Sequence, residues 1–130
     1  MIIFTDASAI VSLYSSTDPN HHLAKAIMSN LKADQLIISN FVYAEITTII
    51  SQRVSKEKAI LAGNYMKENF KIFRLTEEIE NLAWEIFKKQ TSKNVSFVDC
   101  STIALFQKGV FDKLFTFDTD FKKNKVPVLG

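Results

Sequence analysis

The chain has 130 residues, of which 47% are hydrophobic and 23% charged, proportions that predict one globular domain spanning residues 1–130. Its single cysteine, Cys100, excludes an internal disulfide and any zinc site built from several cysteines. No apolar stretch approaches the roughly 18 residues of a membrane-spanning helix, and the N-terminal residues lack the basic region of a signal peptide, so we expect a cytoplasmic protein with no membrane partner.

Short apolar segments in the first, middle and last parts of the chain predict five β-strands. They cover residues 2–5, 36–39, 71–75, 114–117 and, more weakly, 126–129. Pro127 in the fifth segment favours a position at the edge of a sheet, because proline cannot donate a ladder hydrogen bond.

Helical patterns fill the intervals between these strands. They cover residues 7–15, 21–31, 41–54 and 56–69, a segment that opens at Thr76, and a last one that runs from Ser96 to Gly109. Strands that alternate with helices and are apolar on both faces predict an α/β fold, in which a mainly parallel sheet is covered by helices on both sides.

Aromatic and basic residues suggest surfaces for contact with other molecules. The 11 phenylalanines predict an aromatic-rich interior or interface, and Trp84 is expected to anchor one or the other. Residues 51–130 hold 14 basic against 10 acidic side chains, and Lys122, Lys123 and Lys125 form a cluster that could contact a polyanion. The alternative for this cluster is an ordinary solvated surface.

Four acidic residues fall where the chain leaves a predicted strand or enters a predicted helix. Asp6 and Asp118 each follow a strand, Glu45 lies near the start of the helix after the second strand, and Asp99 lies in the first turn of the last helix. Because the carboxyl ends of parallel strands share one edge of the sheet, we expect these carboxylates to lie together. Without a cation they would repel one another, and oxygen ligands suit Mg²⁺ or Mn²⁺, which can activate water and offset phosphate charge.

Each acid also has a purely structural interpretation. Asp6 could cap the first helix, Asp118 could form an Asx-turn, and Glu45 could be a solvated helix residue. Ser96 and Asp99 have the spacing of a capping box. The case for a metal site therefore depends on the four acids taken together.

Four segments carrying these acids resemble the acidic motifs of PIN-domain ribonucleases, especially VapC-type toxins. The segments read IIFTDASAIVSLY, NFVYAEI, SFVDCSTIAL and LFTFDTDF, and the resemblance extends over nearly the whole chain. The resemblance implies a three-layer α/β/α sandwich that cuts RNA with Mg²⁺, for which Mn²⁺ can substitute. It also implies a homodimer and a small antitoxin protein that blocks the site.

The same resemblance assigns roles to individual residues. Asp6, Glu45, Asp99 and Asp118 match the catalytic acids. Asp6, Asp99 and Asp118 are the expected metal ligands, and Asp120, two residues after Asp118, could serve a second metal ion or form a peripheral hydrogen bond. Ser8 and Thr116 match small polar residues expected to hold the carboxylates in place. The basic excess, and not the resemblance, makes Lys122, Lys123 and Lys125 the candidates to bind RNA.

The expected function is a metal-dependent endoribonuclease that acts as the toxin of a toxin–antitoxin pair. Two other hypotheses stay open. The acidic cluster could serve a metal-dependent phosphatase or a DNA nuclease, or the domain could be a catalytically silent module that binds RNA or a protein.

Overall fold

The computed structural model describes all 130 residues and contains one five-stranded parallel sheet. The strands are β1 Ile3–Thr5, β2 Leu36–Ser39, β3 Lys71–Phe73, β4 Lys113–Phe115 and β5 Val128–Leu129. They lie in the order β3-β2-β1-β4-β5, and every neighbouring pair is parallel. The predicted α/β fold and its five strands are confirmed, and β5, which follows Pro127, lies at the edge of the sheet as expected.

Seven helices connect these strands. They are α1 Ala7–Tyr14, α2 His21–Ser29, α3 Asn40–Arg53, α4 Lys56–Asn69, α5 Glu77–Lys89, α6 Phe97–Gln107 and α7 Asp120–Lys123. The sequence did not predict α7 or the 3₁₀ turn Ala33–Gln35, because segments of three or four residues are too short to display a helical period. Helices α1 to α4 pack together, as do α5 and α6. With the right-handed crossovers that parallel strands adopt, this strand order puts the two groups on opposite faces of the sheet, which gives three layers.

The core lies around the three central strands. Every residue of β1 and β2 is buried, whereas the edge strands β3 and β5 are partly exposed. Phe4 and Phe115 are completely buried, and the Phe4 ring lies 5.0 Å from that of Phe111, so the predicted aromatic interior is confirmed. Trp84 is not part of it: its side chain is 52% exposed, which excludes the core and leaves the interface as the expected place for this residue.

Helix α6 ends at Gly109, as its sequence predicted. The Gly109 N–H donates to the Phe106 carbonyl at 2.9 Å and the Val110 N–H donates to the Leu105 carbonyl at 3.0 Å. This is the Schellman arrangement, which needs a left-handed residue, and Gly109 has a φ of 75°. The chain is thereby turned from α6 towards β4.

The strand order reverses between β1 and β4. Strands β2 and β3 extend from β1 in one direction, and β4 and β5 lie in the other. Ligands of open parallel sheets bind at such a reversal, outside the carboxyl ends of the strands. None of the helices is both long and apolar enough to cross a lipid bilayer.

Candidate active site

Asp6 is the most deeply buried carboxylate of the site. It follows β1, and its backbone N–H donates to the Phe115 carbonyl of β4 at 2.9 Å, which fixes it at the strand reversal. Its side chain is 4% exposed and accepts from the hydroxyls of Thr116, at 2.8 Å, and Ser8, at 3.0 Å. Although Asp6 occupies the N-cap position of α1, its side chain accepts no capping hydrogen bond, so the structural interpretation of this residue is wrong.

The hydroxyls of Ser8 and Thr116 join the ends of β1 and β4. Their oxygens lie 3.1 Å apart, and both donate to the same oxygen, Oδ2, of Asp6. The Phe117 N–H donates to Ser8 Oγ and the Asp118 N–H donates to Thr116 Oγ1, each at 3.0 Å. This network holds the Asp6 carboxylate in one orientation and fixes the loop that carries Asp118.

Glu45 lies in the second turn of α3 and has no hydrogen-bond or ion-pair partner for its carboxylate. Burial, followed by the negative charges of Asp6 and Asp99, raises the pKa of Glu45 to about 7. Glu45 is therefore not a fully solvated helix residue, and it lies close enough to two other acids to interact with them electrostatically.

Asp99 both caps α6 and belongs to the acidic cluster. Its Oδ2 accepts from the Ser96 N–H and its own N–H donates to Ser96 Oγ, both at 3.0 Å, so the predicted capping box is confirmed. The pKa of Asp99 is raised to about 6, mainly by burial and further by the negative charges of Asp6 and Asp118. Together these effects outweigh the Ser96 hydrogen bonds, which lower the pKa. The structural and the electrostatic interpretations of Asp99 thus hold at the same time.

Asp118 lies beside these acids, whereas Asp120 points elsewhere. The charge of Asp118 raises the pKa of Asp6, although burial of Asp6 is the larger cause. Asp118 Oδ1 accepts from the Asp120 N–H at 2.9 Å, so the Asx-turn also forms. The Asp120 carboxylate lies 3.5 Å from Lys123 Nζ and contributes to none of the raised pKa values.

The structure thus brings Asp6, Glu45, Asp99 and Asp118 into one neighbourhood, in which none of them pairs with a basic side chain. The ion pairs of the protein are Lys88–Glu85, Lys108–Glu78 and Lys123–Asp120, and none involves these four acids. No three acidic, histidine or cysteine side chains are close enough as they stand to share a metal ion. The donors nevertheless fit a hard cation, because all are carboxylates, and Asp99 and Asp118 each use only one oxygen in a hydrogen bond.

The three lysines expected to bind RNA lie in different surroundings. Lys122 lines a depression of about 280 Å³ together with Thr116 and Asp118, one of the four acids. Lys123 pairs with Asp120, and Lys125 is exposed. The sequence missed Asn20 and Leu23 at the start of α2, which line the same depression. No sequence motif contains these two residues, and their place beside Asp118 depends on how α2 packs in the folded protein.

Comparisons with known proteins agree with this fold. A family model described as the PIN domain matches residues 3–127. The chain belongs to the PIN domain family. The resemblance to PIN domains seen in the four acidic segments is therefore confirmed at the level of the family.

Among its relatives is the 23S rRNA-specific endonuclease VapC20 of Mycobacterium tuberculosis, which is 27% identical over 121 residues, or 92% of each chain. The crystal structure of VapC20, described as a sarcin-ricin loop cleaving toxin, superposes with a TM-score of 0.87 at 25% identity and 95% coverage of both chains. FitAcB of Neisseria gonorrhoeae has a TM-score of 0.74 at 18% identity, covering 99% of this chain and 97% of its own. VapBC2 of Rickettsia felis, solved with a promoter DNA fragment, has a TM-score of 0.64 at 16% identity, covering 99% and 98%. The last two share the fold.

The electrostatic strain within the cluster predicts how Asp99→Asn affects stability. The pKa of Asp99 is raised in the folded protein, so ionisation weakens the fold as the pH rises from about 4 through about 6. Asparagine keeps an oxygen for the Ser96 N–H but carries no charge. In the absence of metal, the melting temperature of Asp99→Asn should therefore lie several degrees above that of the wild type at pH 7. Near pH 4 the two proteins should have the same melting temperature.

Thermal melts with EDTA and with Mn²⁺ at both pH values measure this effect. Mn²⁺ should stabilise the wild type more than the variant, because an ion that binds only the folded site stabilises by mass action. Asp34→Asn, which removes an exposed charge outside the cluster, serves as the control. If Asp99→Asn is less stable than the wild type, and the wild type does not respond to Mn²⁺, Asp99 serves only to cap α6.

Proposed function

We propose that this PIN-domain protein is a metal-dependent endoribonuclease and the toxin of a toxin–antitoxin pair. The observation that carries the proposal is the group of four carboxylates at the strand reversal, none of which has a basic partner and three of which, Asp6, Glu45 and Asp99, have raised pKa values. The similarity to VapC20, an endonuclease specific for 23S rRNA, supports RNA as the substrate.

The carboxylates divide into ligands and a proton acceptor. Asp6, Asp99 and Asp118 would hold Mg²⁺, or Mn²⁺ in its place, and Asp120 would do so only after leaving Lys123. The ion supplies an activated water and offsets charge on the scissile phosphate. The Glu45 carboxylate, with a pKa of about 7, is suited to accept the proton that the attacking water loses. Ser8 and Thr116 keep Asp6 oriented throughout.

Two protein partners complete the proposal. An antitoxin is supported by the similarity to FitAcB and to the VapBC2 complex. A homodimer is supported by an exposed aromatic surface on α5 and α6, where the Trp84 ring stacks on that of Phe87 at 5.6 Å and meets Phe97 at 6.2 Å. Exposed aromatic side chains of this kind are typical of protein interfaces.

Isosteric removal of the central charges tests the chemistry. Asp6→Asn and Asp99→Asn should each lower RNA cleavage by at least two orders of magnitude while the circular dichroism spectrum stays unchanged, because asparagine preserves the hydrogen bonds but not the charge. Asp120→Asn should lower it less, because this residue lies outside the cluster.

The assay uses labelled single-stranded RNA and DNA, with Mg²⁺, Mn²⁺ or EDTA. Cleavage of RNA alone, dependent on the ion, agrees with the proposal. Preferential DNA cleavage would favour the nuclease alternative. Wild-type activity in both central variants would contradict the proposed site, and a wild type that binds RNA without cutting it would favour the silent module.

Lys122 generates a second prediction, about the binding of substrate. Because Lys122 faces the depression beside Asp118, Lys122→Ala should weaken RNA binding and reduce the slope of log affinity against log salt by about 0.7, the value for one phosphate contact on a single strand. Lys125→Ala should leave the slope unchanged. If Lys122→Ala and Lys125→Ala both keep the wild-type slope, the lysine cluster does not bind RNA and is an ordinary solvated surface.

A further inference from the structure

A groove of about 510 Å³ runs between α3 and α4, and its lining contains no acidic residue. It is bounded by hydroxyl side chains of α3, amide side chains of both helices, and two lysines of α4, Lys56 and Lys67. This composition differs from that of the acidic cluster, since it offers hydrogen-bond donors and positive charge to a ligand. Such surfaces bind phosphate groups.

The two lysines have no acidic partner. The ion pairs of the protein use Lys88, Lys108 and Lys123, and leave Lys56 and Lys67 free. The ammonium group of Lys67 lies 5.7 Å from the centre of the Tyr43 ring, which places it over the groove near the start of α3. Lys56, eleven residues earlier in α4, lies about 16 Å away along the helix axis. The positive charge is therefore spread along the length of the groove.

The floor of the groove is kept open by a glycine. Gly63 lies inside α4, where glycine is less favourable than alanine because it leaves the backbone more freedom to lose on folding. A Cβ atom there would lie 3.3 Å from the Tyr43 hydroxyl and 3.7 Å from Thr47 Cγ2. The glycine thus allows Tyr43 to reach across the groove, with its ring beneath Lys67.

The groove begins beside the acidic cluster. Thr48 lines the groove and also a separate depression that contains Glu45, three residues earlier on the same helix. Three residues correspond to about 4.5 Å along the helix axis. A strand held at Glu45 could therefore continue into the groove without crossing another element.

We propose that the α3–α4 groove binds the backbone of single-stranded RNA to one side of the scissile bond, with Lys56 and Lys67 against its phosphates. This proposal rests on the proposed function, because it extends the same substrate beyond the carboxylates. A positively charged groove with an aromatic ring is the usual surface for single-stranded nucleic acid. It also counters the repulsion between RNA and an uncompensated acidic cluster.

The test compares two double variants that remove the same charge. Lys56→Ala/Lys67→Ala changes the groove, and Lys58→Ala/Lys71→Ala removes two exposed lysines that do not line it. Affinity for a labelled, mixed-sequence single-stranded RNA is measured in EDTA over a range of salt concentrations. The groove variant should bind about tenfold more weakly at low salt, and its slope of log affinity against log salt should fall by about 1.4, for two phosphate contacts. The control pair should keep the wild-type slope.

A cleavage assay with Mn²⁺ locates the effect. The groove variant should lower kcat/KM about tenfold for the long RNA and much less for a dinucleotide, which is too short to extend from the acidic cluster to Lys56. If the groove variant changes the slope no more than the control pair does, the groove proposal is wrong, and a protein partner becomes the alternative occupant of the groove. Because binding is measured without metal, a wild type that binds RNA through the groove but never cleaves it would contradict only the proposed ribonuclease activity.

Discussion

The acidic site depends on the hydrogen bonds that the Asp6 carboxylate accepts from Thr116 and Ser8 at the junction of β1 and β4. Parallel pairing of these strands, with Ile3 opposite Lys113 and Thr5 opposite Phe115, determines which residues can meet there. A shift of one residue would turn Thr116 to the opposite face of the sheet. The buried core around β1 and β4 therefore positions the chemistry as well as stabilising the fold.

Repulsion among the four carboxylates determines the electrostatics of this edge of the sheet. Neighbouring carboxylates raise the pKa values of Glu45 and Asp99 in addition to the effect of burial, and no lysine or arginine offsets them. Asp99 and Asp118 tolerate this environment because each also forms a local backbone hydrogen bond, one in the α6 cap and one in a turn. The same acids thus serve folding and function, and the unpaired lysines of the α3–α4 groove provide positive charge where RNA would leave the cluster.

The sequence predicted the strands and six longer helices because apolar periodicity, caps and Gly109 agree locally. It did not predict α7, whose four residues are too few for a period, or the exposure of Trp84, because an aromatic residue in an amphipathic helix can face either a core or a partner. Placement of Asp6, Glu45, Asp99 and Asp118 at one edge followed from parallel topology. The separation of Asp120 from them did not, because its direction depends on α7 and on Lys123. Family resemblance supplied the roles, which periodicity cannot provide.

A crystal structure of the protein soaked in Mn²⁺, with anomalous diffraction data, tests the central claim most directly. The account predicts an anomalous peak about 2.1 Å from an Asp6 oxygen, within reach of Asp99 or Asp118 after small side-chain rotations. It also predicts that the peak disappears in Asp6→Asn crystals. A fully occupied Mn²⁺ ion bound elsewhere, or no ion at saturating concentration, would contradict a metal centre at the strand reversal.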